Sequence, residues 1–159
     1  MKVLIVSDTH GHNGNLEKII EKVSPIDALI HCGDVEGQED YITSLAGCPT
    51  YIVAGNNDYF SNLEREMEFS LEGHKVLLTH GHYYGVSMGT EGILEEGRAR
   101  QVDVVMFGHT HRPCLEQHDD ITVLSPGSLV YPRQEGRRPS FAIMEVDRDG
   151  NSHYTTKFF

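Results

Sequence analysis

Five short apolar runs along the chain each stop abruptly at polar residues of one chemical kind. VLIV precedes Ser7-Asp8-Thr9-His10, ALI precedes His31-Cys32-Gly33-Asp34, and YIVA precedes Gly55-Asn56-Asn57-Asp58. VLL precedes Thr79-His80-Gly81-His82, and VVMF precedes Gly108-His109-Thr110-His111. Runs of this length, rich in Val and Ile, read as strands buried on both faces of sheets that other layers cover. Their carboxyl ends then share one edge, which in open α/β sheets is where ligands sit. Asp8, His10, Asp34, Asn56, His80, His109 and His111 are therefore expected to converge.

Between these runs the pattern changes period. After strand 2–6, Leu16, Ile19, Ile20 and Val23 fall on one helical face, with Asn13 or Asn15 as cap and Pro25 beyond the end. A strand over 28–31, a helix over 38–46 and a strand over 50–54 complete a βαβαβ unit, hence a parallel sheet. Glu66–Leu71 then alternates polar and apolar, and with His74–Leu78 reads as a hairpin turning at Glu72-Gly73. A helix over 91–99, weakened by Gly92 and Gly97, leads to strand 103–107. Further strands are expected near 113–117, 121–125, 140–146 and 152–157, the last two joined at Asp149-Gly150. Two sheets between helices accommodate that count. No repeat, low-complexity tract or linker divides residues 1–159, which read as one domain.

Composition narrows the partners. The formal net charge is -11 and the sequence pI about 5.2, which disfavours general attraction to nucleic acid or anionic membrane. Cys32, Cys48 and Cys114 are odd in number and widely spaced, as reduced thiols in a cytoplasm would be. The first apolar run is too short for a signal peptide or a membrane span. A cytoplasmic protein is expected.

The chemistry lies in the polar clusters. Asp8 and His10 are two apart, so in extended backbone they face one way, and His109 and His111 repeat that spacing. Carboxylates, imidazoles and one amide, without a thiolate, suit manganese, iron, cobalt, nickel or zinc without choosing among them. Seven candidate ligands exceed the usual needs of one ion, so two ions bridged by a carboxylate fit better. Two such ions bring about +4 against about -2 from Asp8 and Asp34, leaving about +2 to hold a hydroxide and a phosphate group. Each cluster alone would ordinarily be turn chemistry. Five in succession would not.

The ordered series DTH, GD, GNND, THGH and GHTH resembles the calcineurin-like metallophosphoesterase superfamily, and its motifs run through the first 111 residues. The short length and Ser125-Pro126-Gly127-Ser128 are most similar to its small phosphodiesterases of the YfcE and MJ0936 type. The resemblance implies a four-layer α/β/β/α sandwich of two mixed sheets flanked by helices, carrying two divalent metals, manganese foremost. By the same resemblance Asp8, His10 and His111 would bind the first metal, Asn56, His80 and His109 the second, and Asp34 would bridge them. It also implies hydrolysis of a small phosphodiester or nucleotide-like substrate by a metal-bridging hydroxide, and self-association as in related small enzymes.

One position departs from the wider pattern. Many members place histidine after the third-motif asparagine, where it assists the leaving group, whereas this chain has Asn57. Asparagine has no titratable proton at neutral pH, so easily departing leaving groups should be favoured. The protein-phosphatase branch fits poorly, since Gly33-Asp34 runs into Val35-Glu36-Gly37 without that branch's arginine. A phosphomonoesterase or nucleotidase using the same ions, and a non-catalytic scaffold resembling the retromer subunit, are the competing readings.

Several neighbours have both a functional and a plain reading. Asp58 could orient Asn56 or cap a turn; His12 and His82 could touch substrate or be solvated. Arg112 and Arg133 could reach a phosphate bidentately, with surface ion pairing as the default. Gly127 and Ser128 could offer backbone donors, although Pro-Gly is first a turn signal. For Tyr59, Phe60, Tyr83 and Tyr84 the choice is base stacking or packing.

Overall fold

The computed structural model describes residues 1–159. Two five-stranded mixed sheets form its centre. The chain runs β1 (Lys2–Val6), α1 (Gly14–Val23), β2 (Ala28–His31), α2 (Glu39–Ala46), β3 (Thr50–Ile52), β4 (Glu66–Leu71) and β5 (His74–Thr79). It continues through a 3₁₀ turn (His82–Tyr84), α3 (Glu91–Ala99), β6 (Val104–Met106), β7 (Pro113–Gln117), β8 (Thr122–Pro126), β9 (Ser140–Val146) and β10 (Ser152–Phe158). The first sheet has the order β10-β9-β1-β2-β3 and the second β4-β5-β6-β8-β7. Within the first, β1-β2 and β2-β3 are parallel while β9 lies antiparallel to β1. Within the second, β5-β6 and β6-β8 are parallel and both edges antiparallel.

The two-residue period of the strands makes four layers. Val3 and Ile5 of β1 point between the sheets, where they join Val76, Leu78, Val104, Met106 and Leu124 in one buried cluster. Leu4 and Val6, one residue out of phase, point the other way onto Leu16 and Ile19 of α1 and Ile42 of α2. In the second sheet Leu77, Val105 and Val123 turn outward onto Ile93 of α3. Strands covered on both sides must be apolar at every position, which is why these runs do not alternate.

The glycine that weakens α3 as an isolated helix has a packing reason. A Cβ on Gly97 would lie 2.5 Å from Val105 Cγ2 and 2.7 Å from Ile121 Cδ1, so its absence lets α3 lie close on the sheet. At the β4-β5 turn Glu72 (φ 47°) and Gly73 (φ 87°) are both left-handed, as a two-residue hairpin of this kind requires.

Two local expectations need correction. Neither asparagine caps α1 through its side chain: Asn13 sits at the cap position without such a bond, and Asn15 Nδ2 donates to Leu129 O (2.7 Å). β3 ends at Ile52 rather than near residue 54, because Ala54 N donates to Glu64 O (2.8 Å) and draws the chain out of the sheet. No helix is long and apolar enough to cross a membrane.

Candidate metal centre

All five polar clusters meet at one place. One ligand atom each from Asp8, His10, Asp34 and His111 lies within 4.8 Å of the others. Asp34 Oδ2 is 3.7 Å from His10 Nε2 on one side and 3.5 Å from His80 Nε2 on the other. Beyond His80, Asn56 Oδ1 stands 2.9 Å from both His80 Nε2 and His109 Nδ1. The seven predicted ligands thus form two adjoining groups that meet at Asp34.

The imidazoles are turned by their outer nitrogens. His10 Nδ1 faces Glu36 Oε1 (2.7 Å), His80 Nδ1 faces Cys32 O (2.7 Å) and His111 Nδ1 faces Tyr131 O (2.8 Å). Each partner only accepts, so the proton belongs on Nδ1 and a lone pair on Nε2 points inward. The inward contacts then set acceptor against acceptor: His10 Nε2 is 3.2 Å from His111 Nε2, which is 3.1 Å from Asp8 Oδ1. Asp8 Oδ1 is buried and receives no hydrogen bond. Buried, converging lone pairs repel unless positive charge lies between them. The donor set fits a divalent cation of the borderline class.

The buried carboxylates favour positive charge at the same place. Burial alone would lower His80, but Asp34 and then Asp8 hold it above the ordinary histidine value. Burial would raise Asp34, but His80 and Asn57 bring it far below the usual carboxylate range. Asp8 is likewise lowered against its burial, by His111 and His80. His31, wholly buried behind the site, is pushed down to about 4 chiefly by desolvation, and stays a neutral bridge between Thr9 Oγ1 (3.0 Å) and Gly33 N (3.2 Å).

Backbone strain marks the same loops. Asp8, His10, Asp34, His109 and His111 all have positive φ, between 46° and 70°. Aspartate and histidine enter this region more readily than most residues, but each instance still costs on the order of 1 kcal/mol. The strain is held by specific bonds. Asp58 accepts from Asp34 N (2.8 Å), Glu36 N (2.7 Å) and Gly55 N (2.6 Å), so it orients the loops and is more than a local cap. Ser7 Oγ donates to Asp8 Oδ2 (2.6 Å), and Ser128 Oγ donates to Asp8 O (2.9 Å) while receiving Tyr131 N (2.9 Å).

Other candidates have definite places. Asn57 gives both its backbone N (2.8 Å, to Oδ1) and its side-chain amide (2.9 Å, to Oδ2) to Asp34. The His82 ring packs against His80 (5.4 Å) and His109 (5.8 Å), and His82 is held below the ordinary value first by burial. His12 is exposed and lies edge-on to Tyr131 (6.3 Å). Tyr59, Phe60 and Tyr83 are exposed beside Asn56, so they do not belong to the core; Tyr84 is half-buried and bonded to Glu66. Arg112 and Arg133 make no ion pair, contrary to the default expectation for surface arginines. The residues that sequence reasoning missed are Ser7, Glu36 and Tyr131. Only Glu36 carried a signal, as a carboxylate two residues beyond Asp34.

The model of the calcineurin-like phosphoesterase superfamily domain matches residues 1–149. The chain is 32% identical over 150 residues to the probable metallophosphoesterase YsnB of Bacillus subtilis, covering 94% of this chain and 86% of that one. It is 32% identical over 145 residues to phosphodiesterase MJ0936 of Methanocaldococcus jannaschii, covering 80% and 83%. In fold it is similar to the Zn²⁺ complex of Vps29 from Entamoeba histolytica, with TM-score 0.77, 22% identity and 99% of both chains covered.

Proposed function

The chain belongs to the calcineurin-like phosphoesterase superfamily, and from that premise we propose that it is a dinuclear metal-dependent phosphodiesterase acting on small phosphodiester or nucleotide-like substrates. The observation that carries this reading is the inward convergence of lone pairs in two groups on either side of Asp34. Asp8, His10 and His111 would hold one cation, Asn56, His80 and His109 a second, and Asp34 both. Bound divalent cations supply Lewis acidity, acidifying water at neutral pH and clamping phosphoryl oxygens during in-line attack. Glu36, Cys32 O and Tyr131 O keep the imidazoles in the tautomer that presents Nε2. The relative named as a phosphodiesterase supports diester substrates.

The reading is tested by assaying aryl phosphodiesters, aryl monoesters, cyclic nucleotides and dinucleoside polyphosphates with manganese, nickel, cobalt, iron or zinc. We expect faster turnover of diesters than of monoesters, lost on chelation and restored by metal. Equal rates on both ester classes would overturn the diesterase assignment. Stoichiometric metal with no hydrolysis would favour a scaffold.

Leaving-group preference follows from Asn57. Its amide is engaged with Asp34 and has no proton to give a departing alkoxide, so aryl esters should react faster than alkyl esters. Asn57→His is expected to raise kcat on alkyl diesters roughly tenfold or more while leaving aryl diesters nearly unaffected. A gain of equal size on both, or none, would remove the missing-acid explanation.

A further inference from the structure

Beside the metal centre lies a hollow of about 620 Å³ walled by Arg112, Arg133, Arg137, Tyr131, Val130 and Pro132. It holds three of the chain's eight arginines although the net charge is -11. No carboxylate lines it, and none of the three is in an ion pair. Arg98 and Arg100, by contrast, are tied to Asp120 and to Glu66, Glu68 and Glu96. Three exposed guanidinium groups around one hollow, without acidic partners, offer several donors to an anion with several oxygens.

The hollow is built onto the metal site. Tyr131 is its shared wall, since the ring lies edge-on to His10 (5.4 Å) and the carbonyl orients His111 (2.8 Å). Arg133 N donates to His111 O (2.9 Å), and Arg112 follows His111 directly. The turn carrying Arg137 is held in a strained form, with Arg137 at φ 44° and its N bonded to Gln134 O (3.0 Å).

We propose that Arg112, Arg133 and Arg137 form a subsite for a second phosphate group of the substrate, distinct from the ester phosphate at the metal centre. The inference rests on the phosphodiesterase reading above. It narrows the substrate class to diesters that carry a further phosphate, such as a phosphorylated nucleotide ester.

Equilibrium dialysis of the manganese-loaded protein with thymidine 3′,5′-bisphosphate and with thymidine 5′-monophosphate tests it. We expect the bisphosphate to bind about tenfold tighter, a preference that shrinks to within about twofold in the triple variant Arg112→Gln/Arg133→Gln/Arg137→Gln. Equal affinities in the unaltered protein, which needs no variant to fold, would overturn the subsite. A preference that persists in the triple variant would overturn it too. The 4-nitrophenyl ester of thymidine 5′-phosphate, with and without a 3′-phosphate, separates this from the wider reading. The 3′-phosphorylated ester should show the higher kcat/KM, and the ratio should collapse in the triple variant. Hydrolysis of neither ester would refute the phosphodiesterase, while the affinity ratio would still decide the pocket.

Discussion

Exchanging Asp34 for asparagine is expected to lower kcat/KM on an aryl phosphodiester by about a thousandfold, or about 4 kcal/mol of transition-state stabilisation. Asp34 Oδ2 is the atom that reaches toward both ligand groups, 3.7 Å from His10 and 3.5 Å from His80. An amide keeps the size but loses the charge that two neighbouring cations require of a shared ligand. Metal content, measured on purified protein, should fall from about two ions per chain to one or fewer. Circular dichroism should show the fold retained, because Asn can still accept from Asn57 N where Asp34 Oδ1 does now (2.8 Å). Normal metal content with normal turnover would remove Asp34 from the centre.

The elements were legible wherever one physical signal dominated. The continuous apolar runs of β1, β2 and β5 announce burial on both faces, and Leu16, Ile19 and Ile20 announce the inner face of α1. The partition into two sheets is less open to local reading. β9 returns across most of the chain to pair Met144 with Val3, while β4 pairs only with its neighbour β5. Nothing in the residues of β9 distinguishes a partner in one sheet from a partner in the other, because all but Glu145 are buried, on both faces of the strand.

The ligands were legible because their residue types are rare at strand ends in such succession. Their supports were not, because a supporting group is defined by what it touches. Glu36 is an ordinary exposed-loop glutamate until His10 Nδ1 is found 2.7 Å away. Tyr131 acts on His111 through a backbone carbonyl, which any residue carries. Ser128 was expected to offer backbone donors, yet its hydroxyl is what joins Asp8 O to the following turn. The three unpaired arginines were the reverse case: visible as charge, but meaningful only once no acid was found to line their hollow.

The glycine of the third cluster shows how little room the arrangement leaves, and Gly55→Ala is expected to injure both stability and metal binding. A Cβ at this position would stand 2.1 Å from Asp34 Oδ1, 2.5 Å from Asp34 N and 2.8 Å from Asp34 Cγ. Two of those atoms belong to the carboxylate itself and one to backbone that cannot rotate aside. Asp34 N and Gly55 N also share Asp58 Oδ2 as acceptor, at 2.8 and 2.6 Å, so separating the loops breaks that bridge. Overpacking of this kind costs about 3 kcal/mol, which for a chain of this size lowers the melting temperature by roughly 10 °C. Because the displaced group is the proposed shared ligand, metal affinity measured by titration should fall at least about tenfold. Gly14→Ala is the matched control: the same methyl group meets nothing within 4 Å there, and its stability should change by less than about 0.5 kcal/mol. If Gly55→Ala behaved like Gly14→Ala in both measurements, the GD and GNND loops could not abut as described, and the proposed sharing of Asp34 by two cations would lose its structural basis.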